Sequence, residues 1–219
     1  MKTLNRFFTV AICLVSLAVA ARAEDAIRYK AKPLGSVVHI DGAANIHEWK
    51  MEGTLIGGYL EVPAGVMLDS SQAALAGAPD GKVKATAEVT IPVTSIKNGK
   101  YEGMDEVMED AMDAKEFPAI KFHLQDMTLK QPHAAGTPLQ FDVAGELAIK
   151  GVTNKVSFPI SIENADKGKL KITAAAIPVK MTDYGIKPPV KFGVFVTEPD
   201  VKISFTWSVG LPAKAAGSN

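Results

Sequence analysis

The stretch Lys84-Ala-Thr-Ala-Glu-Val-Thr-Ile-Pro-Val93 decides the fold class. Ala85, Ala87, Val89, Ile91 and Val93 share one parity, and Lys84, Thr86, Glu88 and Thr90 share the other. Successive side chains of a strand point to opposite faces, so this spacing predicts a strand with one dry and one wet face, the habit of antiparallel sheets. The same period recurs in both directions. Toward the C-terminus it governs Ile120, Phe122 and Leu124, then Phe141, Val143, Gly145, Leu147 and Ile149. It continues in Val156, Phe158, Ile160 and Ile162, in Leu170, Ile172, Ala174 and Ala176, and in Val201, Ile203, Phe205 and Trp207. Toward the N-terminus it runs through Val38 and Ile40, and the segment from Trp49 to Val62 adds a further strand. Turn signals such as Asn98-Gly99, Lys150-Gly151, Asp166-Lys167-Gly168 and Pro199-Asp200 separate about eight strands in all. Closure removes unpaired edges, so the expectation is an all-β, eight-stranded antiparallel barrel.

One segment breaks the period. Met104, Val107, Met108, Ala111 and Met112 recur at helical spacing, with Asp105, Glu106, Glu109, Asp110 and Asp113 on the other face. This predicts one short amphipathic helix within Met104 to Lys115. Ser70 to Gly81, rich in Ala, Gly and Pro, reads as a loop or a frayed helical insert.

The chain has 219 residues, with 24 basic and 24 acidic side chains. Lys2 and Arg6 precede an apolar run from Phe7 to Ala21, and Ala21-Arg22-Ala23 is followed by Glu24 and Asp25. That is the layout of a cleaved secretory signal peptide, and the run is shorter than the ~20 residues of a spanning helix. The expected organisation is a signal peptide over 1–23, one barrel domain over 24–211 and a flexible tail over 212–219. Cleavage removes Lys2, Arg6, Arg22 and Cys13, and leaves 21 basic against 24 acidic residues and no cysteine. Balanced charge excludes a nucleic-acid partner. The absence of cysteine excludes a disulfide framework and suits an oxidising periplasm, the expected location.

His39, His47, His123 and His133 show no helical zinc spacing, and no nucleophile elbow occurs. Neither catalysis nor a metal or other cofactor is expected; the weakest reading, a metal-dependent enzyme, would use His47 and Glu48. The alternation supplies an apolar interior instead. By parity its lining is Phe122, Phe141, Leu147, Ile149, Phe158, Ile160, Ile172, Ala174, Ile203 and Phe205. Trp49 and the Met104, Met108 and Met112 stripe would close one end. The stripe has core spacing, so packing is its first reading, a ligand-facing lid its second and a copper(I) site its third. Two functions follow: a secreted protein sheltering a long-chain amphiphile, or an interaction module whose barrel is filled by side chains.

Several segments together resemble the YceI-like family of secreted lipid-binding proteins. They are Ser36-Val-Val-His-Ile-Asp-Gly42 with His47-Glu-Trp49, Val93-Thr-Ser-Ile96, Met104-Asp105, and Glu116-Phe-Pro-Ala-Ile-Lys-Phe122. Gly145-Glu-Leu-Ala-Ile-Lys-Gly-Val-Thr153 and Asp183-Tyr-Gly-Ile186 complete the set, which spans Ile27 to Val209. The resemblance implies a lipocalin-like barrel around an isoprenoid, quinone or other lipid, with transient contact to a membrane or a membrane-bound lipid enzyme. It leaves open whether the protein is a monomer or a dimer. The family commonly carries an Arg where this chain has Met104, and another where it has Met181. With both guanidinium groups replaced by thioethers, Met181 joins the candidate ligand contacts, and a neutral or weakly polar amphiphile is expected over a diphosphate.

Overall fold

The computed structural model describes residues 26–101, 103–166, 168–191 and 194–212. The expected signal peptide, its expected cleavage site and the tail beyond Pro212 lie outside the described residues. The strands are β1 (Ala26–Ala31), β2 (Val37–Ala44), β3 (His47–Gly53), β4 (Gly57–Pro63), β5 (Thr86–Pro92) and β6 (Ile96–Lys97). After the helix α1 (Met104–Ala111) come β7 (Ala119–Leu129), β8 (Leu139–Ile149), β9 (Val152–Ala165), β10 (Lys169–Lys180), β11 (Val190–Lys191) and β12 (Phe195–Gly210).

Three pairs of these strands are single staves kinked part-way. β1 and β2 lie in line along one edge of β12, with Ala31 opposite Val209 and Val37 opposite Thr206. β3 runs beside β2 and β4 beside β1; β5 then pairs with β4 and β6 with β3. These three staves and β7, β8, β9, β10 and β12 each pair antiparallel with their neighbours in sequence. The β1–β12 pairing closes them into an eight-stave up-and-down barrel of lipocalin-like shape. Lys150-Gly151 forms a two-residue connection between β8 and β9, where φ values of 48° and 75° make the type I′ turn that suits a twisted hairpin.

Local departures refine the expected pattern. The chain forms β1 ahead of the first expected strand, and the Trp49 to Val62 segment breaks between β3 and β4. The helix stops at Ala111, and the Ser70 to Gly81 stretch is loop rather than helix. A bulge in β10 shifts the register between Ala174 and Ile177. Ala176 takes φ 54° and turns outward, so Ile177 and Val179 become the buried pair. Reading the parity through Ala176 is corrected by this extra residue, which swaps the two faces downstream.

The barrel ends differ. At one end the loop from β4 to β5 buries Val66, Leu68, Leu75, Ala78 and Val83. Asn164, near the end of β9, accepts the Ser70 N–H at 2.7 Å and donates to the Leu68 carbonyl at 2.9 Å. β4 and β9 lie opposite each other in the ring, so this loop crosses the barrel's full width. Above it, Leu139, Phe141, Ile162, Leu170 and Val209 pack at 0–2% exposure. The helix α1 lies at the other end, among the β2–β3, β8–β9 and β10–β12 connections.

Candidate ligand cavity

Eight residues are too few for a helix to persist alone. Polar anchors hold α1 in place. Asp105 and Glu106 occupy its first turn, where negative charge suits the helix dipole. Lys97 Nζ lies 2.9 Å from Glu109 and 3.6 Å from Asp105. The Glu109 hydrogen bond, with the two carboxylate charges, holds that ammonium above the usual lysine range. Asp105 also accepts the Asn98 N–H at 2.7 Å. At the other terminus Lys150 Nζ donates to the Ala111 carbonyl at 3.0 Å, placing a cation on the helix's negative end.

The apolar face of α1 looks into the barrel, yet no residue of the helix is fully buried. Met104, Val107, Met108 and Ala111, with Met112 just beyond, roof a cavity of about 460 Å³. β2, β3, β7, β8, β10 and β12 supply its walls, among them Ala44, Trp49, Met51, Ile149, Val179 and Val201. Ile46, 62% exposed, and Tyr101, 43% exposed, stand at the mouth. A second chamber of about 120 Å³ lies deeper, and Ile40, Ile120 and Ile203 belong to the walls of both.

Among the described residues, neither chamber is lined by a Lys, Arg, Asp or Glu side chain. Polar character is confined to His47, Trp49, Tyr101 and Thr197 above and Trp207 below. Among the described residues, the indole N–H groups of Trp49 and Trp207 are buried without a hydrogen-bond partner, a costly arrangement. Gly42, opposite Trp49, makes the indole's position available, because a Cβ there would overlap the ring. Gly145 does the same for the Phe122 ring. Ile40, Phe122, Phe158, Ile203 and Phe205 all face inward and still remain only half-buried.

Of the sequence-derived contacts, Trp49, Met104, Met108, Met112, Ile149 and Met181 line the outer chamber. Phe122, Leu147, Phe158, Ile160, Ile172 and Phe205 line the inner one, and Ile203 lines both. Phe141 and Ala174 line neither. Phe141 points inward but lies in the packed floor at 0% exposure, and Ala174 is buried beside the β10 bulge. The parity already turned Ile40, Ile120, Val201 and Trp207 inward, although they were not singled out as contacts. Met127, Ile177 and Val179 sit beyond bulges that the alternation does not reveal. His47 lines the mouth with its ring 5.9 Å from that of Tyr101, whereas Glu48 is exposed outside the chamber lining.

The sequence model of the family described as YceI-like domain matches residues 34–209. The fold is similar to that of BcnA from Burkholderia cenocepacia, at a TM-score of 0.56 and 18% identity over 79% of this chain and 95% of that one. It is also similar to a polyisoprenoid binding domain from Saccharophagus degradans implicated in plant cell wall breakdown. There the TM-score is 0.61 and the identity 13%, over 85% of this chain and 99% of that one. No curated protein matches the chain.

Proposed function

Because the chain belongs to the YceI-like domain family, we propose that it binds one chain-like amphiphile in the barrel, tail inward and head toward α1. The carrying observation is the set of inward-facing apolar residues that protein packing leaves half-buried beneath a helix with the same property. Each methylene transferred there from water contributes about 0.8 kcal/mol. The isoprenoid class has support from the Saccharophagus degradans domain of similar fold, described as polyisoprenoid binding; quinones and fatty-acyl lipids share the required shape.

The head is neutral in this reading. Met104 and Met181 both line the outer chamber, which has no cationic side chain among the described residues. A diphosphate placed there would lose water without gaining charged donors. The Trp49 N–H suits a carbonyl, amide or hydroxyl oxygen. Shelter rather than catalysis is the proposed role. The basic, apolar and Ala21-Arg22-Ala23 segments support export to the periplasm. Exposed Ile46 and Tyr101 at the mouth suit transient contact with a membrane or a membrane-bound lipid enzyme.

The protein's two tryptophans both line the chambers, so their emission reports occupancy. Titration with farnesol should shift that emission at about tenfold lower concentration than farnesyl diphosphate requires, a difference of ~1.4 kcal/mol. An unchanged spectrum with every neutral prenyl and acyl chain would overturn the proposal, and tighter binding of the diphosphate would overturn the neutral head.

A further inference from the structure

The bore is layered in depth. Ile120 on β7 and Ile203 on β12 stand where the two chambers meet, and Phe122 and Phe205 lie one inward step deeper on the same strands. Phe158 joins them from β9. Its ring centroid is 5.4 Å from that of Phe122 and 6.4 Å from that of Phe205. β7, β9 and β12 are spaced around the ring, so the three rings meet across the bore. They line the inner chamber of about 120 Å³, just past its junction with the outer one of about 460 Å³.

We propose that the Phe122–Phe158–Phe205 cluster is a chain-length ruler. This rests on the lipid-binding reading above and specifies the class of chain it takes. Taking for each carbon the roughly 30 Å³ share that a water molecule has in the liquid, the outer chamber of about 460 Å³ holds about 15 carbons and the inner one of about 120 Å³ about 4. The barrel therefore takes a chain of about 15 to 20 carbons, three or four isoprene units or a long fatty acyl group. Carbons beyond that stay outside the mouth and add no burial. The tail ends just below the rings, because one inward step deeper on the same three strands Leu124, Ile160 and Trp207 are buried, and Phe141, paired with Ile160, is 0% exposed.

The test measures affinity for geraniol, farnesol, geranylgeraniol and a long polyprenol, read by tryptophan emission and by native mass spectrometry. For the natural sequence, affinity should climb steeply to geranylgeraniol and then stay flat. Phe158→Ala frees about one benzene ring's volume and should move that break outward by about one isoprene unit. The milder Phe158→Leu should move it in the same direction by less, and covers the case in which the alanine variant fails to fold. Phe141→Leu, in the packed floor, should leave the break in place. Affinity that keeps climbing to the long polyprenol, or a break unmoved in a folded Phe158 variant, would overturn the ruler and leave lipid binding standing. Failure of the natural sequence to bind any of these alcohols would overturn both.

Discussion

Phe141 and Phe158 point into the same barrel from adjacent strands, one inward-facing row apart. Phe141 is 0% exposed among Leu139, Ile162 and Leu170, while Phe158 keeps part of its ring free toward the cavity. The residue type and inward phase are the same, so the difference lies in what covers each end. The floor is sealed by a loop that crosses the barrel and drives Val66, Leu68 and Leu75 into the core. The roof is a helix tied down by Lys97 and Lys150 on its polar side, with its methionines facing unpacked space. One half of the barrel supplies stability and the other is available for a ligand.

The sharpest way to break this comparison is to truncate both rings. Phe141→Ala should cost about 3–5 kcal/mol, because it opens a cavity in packed surroundings. Phe158→Ala should cost about 1 kcal/mol, since half its contacts are absent already. Urea unfolding of the two variants measures both, and equal losses would mean that the upper half is packed like the floor. The head-group side is probed by Met181→Arg. A guanidinium in the outer chamber should favour farnesyl diphosphate by about tenfold relative to the natural sequence, ~1.4 kcal/mol. An unchanged preference would place the head away from this residue.

Smaller effects test the anchoring of the roof. Lys97→Met removes an exposed ion pair, so its effect on unfolding should be small. Ligand release, followed by stopped-flow tryptophan emission, should nevertheless quicken as α1 loosens. An unchanged release rate would show that α1 does not gate the chamber. The smallest effect is alkaline. Burial holds the Tyr184 phenol above its ordinary value, opposed by a hydrogen bond with Asn154 and reinforced by the Asp183 charge. The native state therefore keeps this proton longer than the unfolded chain does. That contribution is complete below about pH 10 and declines as pH rises through the folded value. Tyr184→Phe should flatten the fall in melting temperature above pH 10; an identical fall would assign it to other groups.

Much of this arrangement is legible in the sequence, for stated reasons. Alternation in β8 and β9 runs unbroken from Phe141 to Ile149 and from Val156 to Ile162, so strand, face and inward residues could be read directly. The methionine stripe announced α1, although its end at Ala111 depends on the Lys150 contact from a distant hairpin. The β10 bulge was not legible, because Ala174-Ala-Ala176 carries no residue that demands a positive φ. Nor could parity separate Phe141 from Phe158. It gives direction but not depth, and depth is set by the β4–β5 loop, whose Ala- and Gly-rich sequence has no period to follow.

The central claim, that the upper half of the barrel holds one apolar chain, is tested most directly by native mass spectrometry of the protein purified from its own cells. The account predicts one neutral lipid per barrel, with about 15 to 20 carbons in its buried part, released on denaturation and identifiable by fragmentation. A protein that flies at its bare mass, and takes up no farnesol or geranylgeraniol when they are added, would contradict it.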